Sequence, residues 1–157
     1  MTIDDIIAFV DGLDGVHTSR PGPGDGTPEI SWGDTFFFYS PEGVVPEATQ
    51  PFATIVTKNY PGDGASRLDR PDAFRVNIAP GKDEFVRWTG HAPRETAAAG
   101  TDPSAVDTVI AHPVYGTAAW LAVVNPGPRT EAAVRDLLST AYRLARSRYE
   151  RRANGAR

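Results

Sequence analysis

The fold is decided by one stretch late in the chain, Trp120-Leu121-Ala122-Val123-Val124-Asn125-Pro126-Gly127. The unbroken apolar run over residues 118–124 is too short to span a membrane, and its valine and tryptophan content is typical of a buried strand. Asn125, Pro126 and Gly127 end that strand, because proline has no amide hydrogen to donate and glycine tolerates positive φ. The sequence therefore predicts a core strand followed by a tight turn.

Residues 130–152 predict a long helix that packs back over this strand. Thr130 is the expected N-cap, and Glu131 suits the positive end of the helix dipole. Apolar side chains then recur three and four positions apart, which gives the helix one buried face. They are Val134, Leu137, Leu138, Ala141, Tyr142, Ala145 and Tyr149.

Shorter elements are predicted upstream. They are a helix over 3–13 behind the N-cap Thr2, strands over 16–20, 30–32, 35–39, 52–58 and 74–78, a short helix over 81–88, and a penultimate strand or packed segment over 106–112. Gly33 and Asp34 are the expected hairpin turn between two of the strands. In 74–78, alternation predicts that Arg75 and Asn77 point outward. Residues 91–107 predict an exposed excursion.

Strands joined in succession by short loops favour antiparallel pairing, because a parallel neighbour needs a long crossover. The predicted fold is therefore α+β, with a single central antiparallel β-sheet flanked by an N-terminal helix and a long C-terminal helix. A chain of 157 residues fits one domain. We expect that domain over residues 1–152, followed by a flexible tail over 153–157.

Composition narrows the classes of function. The net charge is −4, which disfavours non-specific binding to nucleic acid, and no cysteine is present to form a disulfide, a thiolate metal site or a thiol nucleophile. Residues 1–50 hold nine acidic residues and only Arg20 as a base, whereas residues 129–157 hold eight arginines. No segment has a transmembrane length or a secretory pattern, so a cytoplasmic protein is expected.

Motifs that would identify an enzyme are missing from the sequence. No P-loop, nucleophile elbow or dinucleotide fingerprint is present, and His17, His91 and His112 are too dispersed for a standard ligand set. The sequence predicts no catalytic residue, no metal and no cofactor. The charged residues between Asp63 and Asp72 are interpreted as a solvated loop with ion pairs.

One group of residues is a candidate ligand-binding groove on the polar face of the sheet. It consists of Trp32, Lys58, Arg75, Asn77, His112 and Tyr115, with Trp120 as a second wall. Such a groove suits a small anionic ligand. The alternative, which we favour from sequence alone, is that both tryptophans are core while Arg75 and Lys58 are solvated. His112 is interpreted as a structural histidine in preference to a base.

The order of these pieces resembles the YjbR/MmcQ-like proteins, in which a helix precedes a central antiparallel sheet and a last helix packs across it. Four stretches are more similar to an actinobacterial family known only as a domain of unknown function. They are Pro28-Glu29-Ile30-Ser31-Trp32-Gly33-Asp34-Thr35-Phe36-Phe37, Pro51-Phe52-Ala53-Thr54-Ile55-Val56-Thr57-Lys58, Phe74-Arg75-Val76-Asn77-Ile78 and His112-Pro113-Val114-Tyr115-Gly116. The resemblance implies the fold and carries no catalytic residue.

Three functions compete on this basis. A binding or interaction module, for a small anionic ligand or a protein partner, leads because the sheet has a polar face and no catalytic motif accompanies it. A nucleic-acid-binding domain that uses the arginine-rich last helix is second. An enzyme with an unrecognised site is third, and the sequence predicts no membrane association and no particular oligomeric state.

Overall fold

A six-stranded antiparallel sheet forms the centre of the computed structural model, which describes residues 1–95 and 100–155. The elements in chain order are α1 (Ile3–Asp11), β1 (Val16–Ser19), β2 (Thr35–Tyr39), β3 (Ala53–Val56), β4 (Arg75–Ile78), α2 (Lys82–Thr89), β5 (Val109–Ala111), β6 (Leu121–Val124) and α3 (Glu131–Gly155). Short 3-10 turns lie at Glu29–Ser31 and Tyr115–Ala118. The predicted α+β class, with a helix at the start and a long helix at the end, is confirmed.

The strand order is β1-β2-β3-β4-β6-β5. The first four strands follow one another as a meander, and β6 then inserts between β4 and β5. The stretch that decides the fold thus has a hydrogen-bonded neighbour on each side, with Val123 opposite both Val76 and Val109. This double pairing explains why β6 is apolar on both faces.

The two faces of the sheet differ in character. One face carries the main core against α1 and α3, because alternate residues of four strands point to it. Those residues are Phe37, Ala53, Ile55, Val76, Ile78, Leu121 and Val123. On the opposite face, a smaller cluster of Val56, Leu68, Ala73 and Val124 covers only part of the sheet. The remainder of that face carries polar side chains.

Helix α1 begins as its sequence predicts. The Thr2 hydroxyl accepts a hydrogen bond from the Asp5 amide (3.1 Å), and the Asp5 carboxylate accepts one from the Thr2 amide (2.8 Å). This reciprocal pair satisfies two amides that the first turn leaves without helical partners. Ile6, Ile7 and Val10 are then buried on one face, which docks the helix on the sheet.

The predicted hairpin at residues 30–39 is wrong in its first strand. Glu29–Ser31 forms a 3-10 turn, in which the Ser31 and Trp32 amides donate to the carbonyls of Pro28 and Glu29. Strand β2 is already paired on both edges, by β1 and β3, so residues 30–32 have no free strand edge to join. The Gly33-Asp34 pair therefore leads into β2 and is not a hairpin turn.

The N-terminus of α3 is capped by a residue distant in sequence. Asp107 accepts hydrogen bonds from the amides of Gly127 (2.8 Å), Arg129 (3.1 Å) and Thr130 (3.0 Å), and from the Thr130 hydroxyl (2.6 Å). The predicted cap Thr130 thus donates its hydroxyl proton to Asp107. Burial acts to raise the pKa of Asp107, but the hydrogen bonds together leave it below its usual value. The carboxylate therefore binds amides of the turn at 127–130 that leads into α3, and it complements the helix dipole.

At its other end, α3 continues past the predicted boundary. The helix includes residues 153–155, whose side chains are exposed, and residues 156–157 lie outside the described part of the chain. The expected excursion at 91–107 contains turns and no helix in its described parts, 91–95 and 100–107. No helix in the described ranges has both the length and the apolar character that a membrane crossing requires.

We expect Asp107→Ala to lower the free energy of unfolding by about 2 kcal/mol. Losing a capping acceptor typically costs about 0.5 to 2 kcal/mol, and alanine is also disfavoured at the positive φ of 51° that this residue adopts. Urea denaturation followed by circular dichroism measures the change. Asp102→Ala is the matched control, because within the described ranges the Asp102 carboxylate accepts hydrogen bonds from Ser104 of its own loop and from no residue at a helix terminus. Equal losses in both variants would contradict the capping role.

Removal of residues 153–157 should leave the unfolding transition within about 0.5 kcal/mol of the parent, because their described side chains are exposed. The same urea denaturation measures it. A larger loss would show that the end of α3 contributes to the domain, and the predicted boundary at residue 152 would then be wrong.

Candidate functional site

A cavity of about 710 Å³ opens beside the polar face of the sheet. Its floor includes Phe36, Thr54 and Asn77, which lie side by side on β2, β3 and β4 because the strand register places them opposite one another. The 3-10 turn Tyr115–Ala118 and the segment before β3 form walls, and the last turns of α3 reach over the mouth. The cavity is therefore lined by strands of the sheet, by loop residues and by the C-terminal part of α3.

Arg75 is the central charged residue of the floor, and it is only 1% exposed. Its guanidinium donates to both carboxylate oxygens of Asp63, from Nη1 at 3.0 Å and from Nη2 at 2.5 Å. Nη1 also donates to the Ser66 hydroxyl (3.0 Å), and Nε donates to the Asn77 side-chain oxygen (2.7 Å). This bidentate pair neutralises the charge of Arg75, which burial would otherwise make very costly.

Asn77 extends this network across the sheet. Its oxygen accepts from Arg75, and its nitrogen donates to the Thr54 hydroxyl on β3 at 3.0 Å. The prediction that Arg75 and Asn77 share a face is therefore confirmed. The prediction that this face is outward and solvated is wrong, because the loop that carries Asp63 and Ser66 covers Arg75, and both strand residues are buried.

His112 lies next to Arg75 and is 4% exposed. Its Nδ1 accepts hydrogen bonds from the amides of Val114 (3.0 Å) and Tyr115 (2.9 Å), and its Nε2 lies 3.1 Å from Arg75 Nη2. Burial, followed by the positive charge of Arg75, lowers the pKa of His112 to about 4, although Asp63 acts in the opposite sense. The histidine is consequently neutral at pH 7.

Asp63, unlike His112, is kept in its charged form. Burial favours its neutral form, yet the hydrogen bonds and charge of Arg75, together with His112, leave the pKa of Asp63 below its usual value. The carboxylate is therefore ionised at neutral pH. Removing one partner of such a buried pair typically costs about 3 to 5 kcal/mol, so the pair also stabilises the loop that closes over β4.

The structure brings four of the six predicted groove residues together. Arg75, Asn77, His112 and Tyr115 all line the cavity. The ring of Tyr115 lies 4.9 Å from that of His112 (centroid to centroid), and this tyrosine is 57% exposed at the wall. Trp120, predicted either as a wall or as core, is half-buried and lines the cavity.

Trp32 and Lys58 belong to a different network and do not line this cavity. Lys58 donates to the Trp32 carbonyl (2.8 Å) and to the buried carboxylate of Asp34 (2.9 Å). Asp34 also accepts from Thr57, through its amide and its hydroxyl, and from the Tyr60 hydroxyl (2.5 Å). Burial and the Asp34 carboxylate both raise the pKa of Tyr60. The lysine is therefore engaged in anchoring the start of β2 to the end of β3.

Sequence reasoning missed several residues of the site. Asp63 was grouped with neighbouring charges as a solvated loop, but within the described ranges its ion-pair partner is Arg75. Arg70 donates instead to the carbonyls of Ser66 and Ser104. Thr54 was assigned to a strand without a role, although its polar side chain shares a face with Phe36 and Val56, which was the available signal. Arg148 and Arg152 had no local signal beyond their spacing on α3.

Among the residues that the structure describes, acidic and histidine side chains do not gather into a metal-binding group. Within residues 1–95 and 100–155, no three of His, Asp and Glu side chains are grouped so that they could hold a metal ion. The polar chemistry of the cavity therefore consists of hydrogen-bond donors and acceptors around one ion pair.

Acidification from pH 6.5 to pH 4 should lower the unfolding free energy through His112. In this window the unfolded chain, with an ordinary histidine pKa of 6.5, binds a proton that the folded protein excludes until pH about 4. Since one pKa unit corresponds to about 1.4 kcal/mol, the expected contribution is roughly 3 kcal/mol. Asp63 and Asp107 have lowered pKa values, so their contributions begin to be lost near about pH 5 and are lost mainly below about pH 4.

Urea denaturation at half-unit pH intervals measures this dependence. His112→Asn should lose the contribution, because the asparagine oxygen still accepts from the Val114 and Tyr115 amides but does not titrate. His17→Gln on the edge strand β1 is the matched control and should retain it. An unchanged slope in His112→Asn would show that other groups cause the loss.

The comparisons with known proteins yield a family and no characterised relative. A model described as a family of unknown function (DUF6194) matches residues 1–154. A search of curated proteins and a search of solved structures each return no match. The predicted membership of a family known only as a domain of unknown function is confirmed, and the chain belongs to the DUF6194 family.

Proposed function

We propose that this protein binds a small molecule with an anionic group in the cavity that extends from the polar sheet face to the C-terminal part of α3. The observation that carries the proposal is that Arg148 and Arg152 line the mouth of a cavity whose floor is polar and buried. Small-molecule sites are typically concave, occupy about 300 to 1,000 Å³ and combine apolar walls with a few placed polar groups. The cavity of about 710 Å³ has this size and composition.

The walls are suited to a ligand with an unsaturated or apolar body. Phe36, Tyr115 and Trp120 contribute aromatic surface to the cavity. Aromatic rings provide large contact areas at a low cost in conformational entropy, and those of tyrosine and tryptophan also carry a polar edge. A flat or aromatic ligand would be held against these rings.

The charge at the mouth comes from the helical spacing of α3. Ala145, Arg148 and Arg152 lie three and four residues apart, so they share the helix face that overhangs the cavity. Arginine binds carboxylate and phosphate groups in a planar, bidentate manner. The two arginines therefore favour an anionic group near the entrance, while the Arg75–Asp63 pair leaves the floor without net charge.

A small ligand accounts for the site better than a nucleic acid or a catalytic reaction does. Arg135 and Arg146 on α3 are paired with Glu131 (2.9 Å) and Glu150 (3.0 Å), which reduces the positive charge that phosphates would meet. His112 is neutral and its Nδ1 is occupied by two amides, which weighs against a role as a general base. We therefore propose binding and not catalysis.

We also propose a relationship to the YjbR/MmcQ-like proteins, supported by the order of helix, antiparallel sheet and closing helix. An actinobacterial origin is supported by the use of arginine in place of lysine, with 14 arginines among 16 basic residues. A cytoplasmic location is supported by the absence of cysteine from the sequence.

Titration with phenylphosphonate and with neutral benzyl alcohol tests the proposed ligand class. We expect the anion to bind at least about tenfold more tightly at low salt, because only it pairs with the arginines at the mouth. Two-dimensional ¹H–¹⁵N NMR measures both affinities, and the amides of Tyr115 and Trp120 should shift.

Two matched double variants test whether Arg148 and Arg152 cause the preference for the anion. Arg148→Gln with Arg152→Gln should reduce the preference for the anion to about twofold or less. Arg143→Gln with Arg151→Gln removes two exposed arginines of the same helix that do not line the cavity, and should leave most of the preference. Equal affinities for the two probes, or equal losses in the two double variants, would overturn the proposal.

A further inference from the structure

The position of the proton on His112 follows from its hydrogen bonds. The amides of Val114 and Tyr115 both point at Nδ1, at 3.0 and 2.9 Å, so Nδ1 presents its lone pair and carries no hydrogen. A neutral imidazole carries one N–H, and the tautomer is determined by the hydrogen bond at the other nitrogen. His112 must therefore carry its proton on Nε2.

The Nε2–H group then faces another donor. The polar atom within hydrogen-bond distance of Nε2, among residues 1–95 and 100–155, is Arg75 Nη2 at 3.1 Å. A guanidinium nitrogen has no lone pair to offer, so this contact joins two donors and satisfies neither. Asp63 Oδ2 lies 3.9 Å from Nε2, which is beyond hydrogen-bond distance, and it already accepts from Arg75.

A second donor lies on the same floor. The Thr54 hydroxyl accepts a hydrogen bond from Asn77 Nδ2 (3.0 Å), which leaves its own proton free to donate. Within the described ranges this hydroxyl donates to no protein acceptor, and Thr54 lines the cavity together with His112. His112 and Thr54 thus contribute an N–H and an O–H group for which the described residues provide no acceptor at hydrogen-bond distance.

We infer that the floor of the cavity recognises an uncharged oxygen acceptor of the ligand, of the carbonyl type, through His112 Nε2–H. This inference rests on the proposed function and adds the chemistry of the ligand's inner end. The ligand class is a molecule with an anionic group at the mouth, an unsaturated or apolar body along the aromatic walls, and a ketone, ester or amide oxygen at the floor.

The acceptor is uncharged because of the surrounding electrostatics. The charge of Arg75 is already balanced by the two oxygens of Asp63, and the Asp63 carboxylate lies close to Nε2. A second anion at this point would be desolvated and repelled by that carboxylate. A carbonyl oxygen accepts the N–H without either cost. An acceptor here also relieves the contact between two donors, since an unsatisfied buried donor is unfavourable.

Histidine NMR tests the first step without any ligand. In protein labelled with ¹⁵N-histidine, long-range ¹H–¹⁵N correlation spectra between pH 6 and 8 should show the Nε2–H tautomer for His112, assigned by comparison with His112→Asn. The Nδ1–H tautomer would overturn the inference and leave the proposed function intact.

A pair of probes of nearly the same shape tests the second step. 4-Acetylbenzoate and 4-isopropenylbenzoate share the carboxylate and the ring, and differ in a carbonyl oxygen replaced by a methylene carbon. The ketone should bind roughly tenfold more tightly and should shift the His112 Nε2 resonance, whereas the alkene should not. In His112→Asn, which retains an acceptor for the two turn amides, the difference between the probes should disappear.

The outcomes separate the two proposals. Equal binding of both probes to the unmodified protein would overturn the carbonyl site while the anion site stands, and this result does not depend on any variant folding. Binding of neither probe, together with no binding of phenylphosphonate, would overturn the proposed function and this inference with it. A ketone preference that persists in His112→Asn would place the acceptor elsewhere and overturn the assignment to His112.

Discussion

The rest of the site depends on the buried ion pair between Arg75 and Asp63. Arg75 is the first residue of β4 and lies on the sheet face opposite the main core. It requires a carboxylate because an isolated buried charge would be prohibitively costly. Asp63 supplies that carboxylate from a loop, and in doing so it closes the loop over the sheet. The ion pair therefore holds a covering loop on this face of the sheet, whereas apolar packing holds the helices on the other face.

The ion pair also determines the state of its neighbours. Arg75 donates a hydrogen bond to the side-chain oxygen of Asn77, so the Asn77 side-chain nitrogen is oriented toward Thr54. It places a positive charge beside His112, which together with burial keeps that imidazole neutral. It satisfies both oxygens of Asp63, so His112 finds no acceptor there at hydrogen-bond distance. One strand residue thus explains the protonation, the orientation and the unmet hydrogen bond of the floor.

Local pattern was sufficient for much of the fold and insufficient for the site. The period of α3 and the apolar run of β6 are properties of contiguous residues, and both elements were predicted within a few positions. The cap of α3 was not, because Asp107 reaches it across about 20 residues of chain, and no local pattern marks such a contact. The predicted strand at residues 30–32 was wrong for a related reason. β-propensity is a property of a segment, whereas a strand also needs a free edge of a neighbouring strand to pair with. Both edges of β2 are occupied, by β1 and β3.

For the site, alternation identified which residues share a face but not what covers them. Arg75 and Asn77 were placed together correctly, yet their burial is caused by Asp63 and Ser66, whose pairing with β4 is a tertiary contact. Lys58 was predicted beside Arg75 because it ends a neighbouring strand. Its ammonium group instead donates to the carboxylate of Asp34 and to the Trp32 carbonyl.

The rotation of α3 about its own axis determines whether Arg148 and Arg152 face the mouth of the cavity. Because the helix turns by about 100° per residue, the two arginines face the cavity only while their distance in residues from the buried Tyr142 is maintained. Tyr142 is fixed by its hydroxyl, which donates to the Asp14 carbonyl (2.6 Å). Insertion of one alanine between Tyr142 and Arg148 would preserve the net charge of the helix while it turned both arginines away. The positive charge at the entrance therefore depends on the number of residues between Tyr142 and Arg148 as well as on the arginines themselves.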